Sequence, residues 1–200
     1  MNNFDAWDRT LFLKINAGPA APEALLNTAM FIATDAIYAI PLMLVAMWVW
    51  GDEKKRGLAL SACIVAFVGL GVNQLVGLTW QHPRPFAVGL SRAWLAHVAD
   101  SSFPSDHMTV FAGIGITLLL GGEMTLGVLT LVLGFLVAWS RIYLGLHFPL
   151  DMLGAVAVAC LTYVAVSPFW RRIGQAMTRI VGKLYGKLFA YPIARGWVRR

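Results

Sequence analysis

The strongest constraint in this 200-residue chain is a series of apolar runs long enough to cross a lipid bilayer. A spanning helix needs about 20 mostly apolar residues, and inside hydrocarbon its backbone can bond only to itself. Five stretches meet or approach that requirement, at about 24–50, 57–80, 106–121, 124–141 and 149–170. The third and fourth are short, with Gly121-Gly122-Glu123 as a tight turn between them. Composition agrees: 58% of residues are hydrophobic and 13% charged, against about 25% charged in soluble domains. The expected fold is all-α: a polytopic membrane bundle of five, or six, transmembrane helices in one embedded domain, 1–170. Asp35 lies inside the long first run, which leaves two readings: it partners an arginine, or the span breaks there.

Amphipathic segments flank the bundle. Over 4–17, Phe4, Trp7, Leu11 and Ile15 recur at helical spacing with Asp5, Asp8, Arg9 and Lys14 between them, a pattern suited to a helix lying in the membrane interface. Gly18-Pro19 and Pro22 then end it. The acidic, aromatic start lacks the basic and apolar regions of a cleaved signal. Over 171–200, Ile173, Met177, Ile180, Leu184 and Leu188 line one face beside Arg172, Arg179, Lys183 and Lys187. This predicts a basic amphipathic C-terminal helix able to meet anionic lipid. Cys63 and Cys160 sit in apolar runs, outside any CxxC or Cys/His cluster, and read as buried thiols.

Charge sets the topology. Eleven of the sixteen Lys and Arg residues fall in 51–57, 121–123 and 171–200, all on one side of a five-span chain. By the positive-inside rule that side is cytoplasmic. Basic residues that flank apolar spans argue against a nucleic-acid partner. The opposite side, with the N-terminus, 81–105 and 142–148, holds, in these segments or at the helix ends that meet them, all four histidines, His82, His97, His107 and His147, together with Arg84, Arg92 and Arg141. Positive charge there runs against topological preference and points to an outward-facing site for an anion.

Three clusters reach that side: His82-Pro83-Arg84-Pro85-Phe86, Pro104-Ser105-Asp106-His107, and Ser140-Arg141 through His147 to Asp151. They contain what phosphoryl transfer from a phosphate ester needs. Arg84 and Arg141 can fork onto non-bridging oxygens. Ser105 marks a helix start, as cap or phosphate donor. Pro149 suits a first helical position, so Asp151 can reach back to His147, fix its tautomer and leave the other nitrogen free to attack phosphorus. His107 can protonate the leaving oxygen and then activate water against a phosphohistidine.

These clusters resemble the signature of the type 2 phosphatidic acid phosphatase superfamily, Lys-x6-Arg-Pro, Pro-Ser-Gly-His and Ser-Arg-x5-His-x3-Asp. The third part is complete as Ser140, Arg141, His147 and Asp151; the second has Asp106 for glycine; the first keeps Arg84-Pro85, with Gly77 where the lysine would fall. Eighteen residues lie between Pro85 and Pro104, and thirty-two between His107 and Ser140, a spacing like the family's. The resemblance covers about 57–160. It implies a phosphate-binding set of Arg84, Ser105, Asp106, Ser140 and Arg141 beside catalytic His147, His107 and Asp151, with no metal or other cofactor. His82, Arg92 or His97 would replace the lysine. Asp100-Ser101-Ser102-Phe103-Pro104-Ser105-Asp106-His107 and Pro83-Arg84-Pro85-Phe86 resemble one bacterial branch, the bacitracin-resistance type of undecaprenyl pyrophosphate phosphatase. That branch implies a multi-pass inner-membrane enzyme that recycles the lipid carrier of cell-wall synthesis.

Three other readings remain at this point. The same chemistry serves phosphatidylglycerol phosphate, phosphatidic acid or lipid A, because the motifs read the phosphate and not the tail. A lipid transporter or flippase would place polar groups deep in several spans; Asp35, Asn73 and Gln74 are the main candidates, and none forms a repeat-related pair. A His/Asp metal hydrolase would use the same histidines as zinc ligands.

Overall fold

The computed structural model describes residues 3–199. The side chain of Phe4, named above, and Arg200, at the end of the basic tail, lie outside the described residues. Helices follow in the order α1 (Asn3–Ile15), α2 (Glu23–Asp35), α3 (Ala39–Trp50), α4 (Glu53–Thr79), α5 (Asp106–Leu120), α6 (Met124–Tyr143), α7 (Pro149–Leu188) and α8 (Ala190–Ala194). Among the described residues, four helical stretches are long and apolar enough to cross a membrane: Glu23–Trp50, Glu53–Thr79, Met124–Tyr143 and Pro149–Leu188. Large apolar side chains such as Phe67, Phe135 and Leu161 are at least 70% exposed. An outside made of such residues suits lipid, not water. The chain is a multi-pass membrane protein.

The short helix α5 is the hub, packed against α4, α6 and α7. Its Phe111, Ile114 and Leu118 are fully buried. Close approach to α6 depends on glycine: a Cβ on Gly134 would stand 2.6 Å from Phe111 Cβ, and one on Gly127 2.6 Å from Leu119 N. α5 has only 15 residues, or about 22 Å, so its N-terminus ends inside the bundle and leaves space above it.

One open reading is decided and three sequence expectations change. The first apolar run is divided by a 3-10 turn at Ala36–Tyr38. Pro41 lacks the N–H that would bond to the Ile37 carbonyl, so the ladder tightens there. Asp35 faces outward and accepts from Thr34 Oγ1 at 2.7 Å; among the described residues it partners no arginine. First among the changes, α1 also packs into the protein. Phe12 is fully buried, its ring 5.4 Å from Phe148, and Asp8 on the same face is buried too, while Trp7 faces out. Second, helix structure does not break after Trp170: α7 runs 40 residues through Pro168 into the basic region. Third, Cys160 is exposed on α7, and Cys63 is half-buried.

At the opposite end from His147, Arg56 is buried, with its guanidinium 5.6 Å from the Trp48 ring and 5.0 Å from that of Tyr185. It donates to Trp48 O at 2.7 Å and Arg199 O at 2.8 Å. A charge that the sequence offers only as a topology signal thus ties the α3 end to the returning tail.

Candidate active site

The space above α5 is a cavity of about 600 Å³, lined by residues of the α4 end, the 80–105 loop, the α5 start, Arg141 and His147. The 144–148 turn aims His147 into it. Gly145 has φ +81°, and a Cβ there would stand 2.6 Å from the Arg92 carbonyl, so this tight turn needs glycine.

His147 is 2% exposed and Asp151 fully buried. Asp151 Oδ2 accepts from Phe148 N at 2.8 Å and from Ser102 Oγ, and lies 3.2 Å from His147 Nδ1. A carboxylate can only accept, so Nδ1 carries the ring proton. Nε2 then presents its lone pair toward the cavity and accepts from Arg84 Nη1 at 3.1 Å. Burial, only partly offset by Asp151, holds the His147 imidazolium down to about 4. His147 is therefore neutral at pH 7, as a nitrogen nucleophile must be.

The two arginines are held by different scaffolds. Arg84 Nε donates to Asp100 Oδ1 at 2.8 Å, and its Nη atoms reach Leu146 O at 3.0 Å and Ser101 O at 3.3 Å. Burial alone would raise the Asp100 carboxyl, but the Arg84 hydrogen bond and charge outweigh it, and the value lies below the ordinary one. Arg141, also buried, donates from Nη2 to His97 Nε2 at 3.1 Å, and its Nε has no partner. His97 Nδ1 faces Val98 O at 3.0 Å, so its proton sits there and Nε2 is the acceptor. Burial comes first among the causes that lower the His97 pKa. Each arginine thus donates to a neutral imidazole.

His107 and Asp106 line the cavity from the first turn of α5. Asp106 accepts from Asn73 Nδ2 at 2.8 Å and lies 3.5 Å from Gln74 Nε2; Asn73 Nδ2 also reaches Thr109 Oγ1 at 2.9 Å. The aspartate that stands for the family glycine clips α5 to α4. Asn73 and Gln74, the polar groups a transporter would have had to use, turn their amide nitrogens to Asp106. Ser105 occupies the N-cap position, but its hydroxyl caps nothing; it is buried without a partner. His82 lines the cavity with Nδ1 3.7 Å from Asp151 Oδ1, behind the carboxylate.

Three expected phosphate-site residues do not line the cavity: Ser105, whose hydroxyl is fully buried, Ser140 and Arg92. Ser140 is buried in α6 and donates to Val137 O at 2.8 Å. Arg92 is exposed and stacks 4.9 Å over Trp94. Sequence reasoning assigned no role to Ser102 or Asp100, though both stand in the loop it singled out. The buried partners that give them roles, Asp151 and Arg84, are 49 and 16 residues away. Among the described residues, no three His, Cys, Asp or Glu side chains are grouped as metal ligands.

Comparison with known proteins places this geometry. The chain is 37% identical over 190 residues to YbjG of Escherichia coli (strain K12), which covers 95% of this chain and 96% of that protein. It is 34% identical over 174 residues to the undecaprenyl-diphosphatase BcrC of Bacillus subtilis (strain 168), covering 85% and 90%. The fold is shared with the crystal structure of a PAP2-type phosphatidylglycerolphosphate phosphatase from Bacillus subtilis. That match has a TM-score of 0.63 at 20% identity and covers 86% of this chain and 89% of that one. The PAP2 superfamily model matches residues 57–175, the segment that contains the cavity and its His147–Asp151 pair, and the chain belongs to the PAP2 superfamily.

Proposed function

We propose that this chain hydrolyses undecaprenyl diphosphate to undecaprenyl phosphate and inorganic phosphate. The observation that carries the chemistry is neutral His147, with its Nε2 lone pair facing the cavity and a buried carboxylate behind Nδ1. The likeness to undecaprenyl-diphosphatase BcrC over most of both chains supports the substrate.

The terminal phosphate displaces Arg84 from Nε2, because a phosphate oxygen is the stronger acceptor for guanidinium. Arg84 and Arg141 then hold its non-bridging oxygens, and the unpartnered Arg141 Nε supplies a further donor. Nε2 attacks phosphorus and the bond to the bridging oxygen breaks. His107, on the cavity wall in the first turn of α5, gives its proton to the departing undecaprenyl phosphate. Water then attacks the phosphohistidine, His107 takes the water proton, and inorganic phosphate leaves as His147 returns to neutral. Asp151 stabilises the positive charge on the ring throughout. His97, by holding Arg141, does part of the work left open at Gly77.

By the positive-inside rule the cavity opens outward from the bacterial inner membrane and the C-terminus is cytoplasmic. There the α7 extension carries exposed Ile173, Ile180 and Leu184 beside basic residues, a surface for anionic lipid.

The test is phosphate release by purified protein from undecaprenyl diphosphate, phosphatidylglycerol phosphate, phosphatidic acid and lipid A. The expected result is a kcat/KM on undecaprenyl diphosphate at least about 10-fold above the others, abolished in His147→Ala. A higher value on another lipid overturns the substrate. An active His147→Ala overturns the mechanism.

A further inference from the structure

We propose that Asp8, in α1, is a positioning residue for the His147–Asp151 pair, acting through the first turn of α7. Asp8 is a carboxylate only 4% exposed, and such burial requires a partner. Its Oδ1 accepts from Leu150 N at 3.0 Å. The first N–H groups of a helix have no partner within it. In α7, Phe148 N is satisfied by Asp151 Oδ2, Pro149 has no N–H, and Leu150 N is satisfied by Asp8. The turn that carries the catalytic pair is therefore capped from within and from α1.

One helical turn along, Phe12 packs on Phe148 with ring centroids 5.4 Å apart. Phe148 and Leu150 both lie between His147 and Asp151 in the chain, and α1 grips both. The family match begins at residue 57, so this grip comes from outside the matched domain. It matters because displacing a reacting group by about 1 Å costs about 100-fold in rate.

Asp8 faces Asp151 from α7 and His82 from the 80–105 loop, with Asp5 on its own helix. Burial, opposed by the Leu150 hydrogen bond, raises its carboxyl to about 6. A protonated Asp8 is a weaker acceptor for Leu150 N, so the grip weakens as pH falls through that value. His147, held to about 4, remains neutral over the same interval.

This inference rests on His147 as nucleophile. The experiment uses full-length protein in detergent and separates kcat from KM between pH 4.5 and 8, on whichever lipid phosphate is turned over fastest. Asp8→Ala should lower kcat about 10- to 100-fold with KM within about 3-fold. Asp8→Asn keeps a carbonyl acceptor without a titrating proton. It should restore kcat to within about 5-fold at pH 7.5 and lose the inflection near pH 6. A folded Asp8→Ala with kcat within about 3-fold of wild type, or an Asp8→Asn that keeps the inflection, overturns the inference. If Asp8→Ala does not fold, the Asp8→Asn profile decides alone. His147→Ala is run alongside: activity there refutes the nucleophile, whereas an inactive His147→Ala beside an unaffected Asp8→Ala refutes only the role of Asp8.

Discussion

Replacing Asp151 by asparagine removes one charge and almost no volume, and the surroundings determine how the amide must sit. Three donors converge on Oδ2: Phe148 N, Ser102 Oγ and His147 Nδ1. An amide nitrogen there would face the Phe148 N–H donor to donor, so the amide oxygen takes that place. The nitrogen then takes the Oδ1 position, which lacks a partner and faces His82 Nδ1. Placed so, the amide preserves the His147 tautomer, and the loss is electrostatic. Phosphorylation puts positive charge on the ring 3.2 Å from the missing carboxylate. At an effective dielectric of about 20, Coulomb's law gives about 5 kcal/mol over that distance. The amide dipole retains part of it, so kcat should fall about 1,000-fold, or about 4 kcal/mol, with KM nearly unchanged. The assay is steady-state phosphate release by purified protein, with thermal unfolding in the same detergent as a control for folding. A kcat within about 10-fold of wild type would refute the charge-stabilisation role.

Further outcomes follow from the placement of other groups. Ser140→Ala and Arg92→Ala should each leave kcat/KM within about 3-fold of wild type, because one hydroxyl bonds inside α6 and the other side chain stacks on Trp94. A loss of about 100-fold in either would return it to the phosphate-binding set. Gly77→Lys should be accommodated, since a Cβ there meets Ser101 Cβ at 3.5 Å on the cavity wall. Combined with His97→Ala it should recover at least about 5-fold of the lost kcat/KM; no recovery would separate the roles of Gly77 and His97. The folded-state pKa of His147, about 4, lies below the ordinary histidine value of 6.5. Its burial as a neutral ring therefore contributes fully above 6.5, and that contribution is lost as pH falls toward 4, about 3 kcal/mol in all. Wild type should lose more thermal stability than His147→Gln across that interval, and equal losses would contradict neutral burial.

The sequence by itself determined that the chain is a helical membrane bundle. Hydrocarbon forbids unpaired backbone, and the apolar runs are long enough to satisfy that rule by helix formation. It also determined most of the chemistry, because His147 and Asp151 lie four residues apart at a helix start, where local geometry makes them meet. Only the tertiary structure decided what depends on distant segments. It supplied Ser102 to Asp151, Asp100 to Arg84 and His97 to Arg141 across a loop that has no periodicity to read. It turned Ser140 into a helix-internal hydroxyl despite its place in the motif. It brought Asp8, more than a hundred residues away in the chain, onto Leu150 N, and made part of an expected surface helix a support for the start of α7. A buried carboxylate takes whichever unpaired N–H the packing presents to it, and that choice is written in the packing of α1 on α7, not in the residues around Asp8.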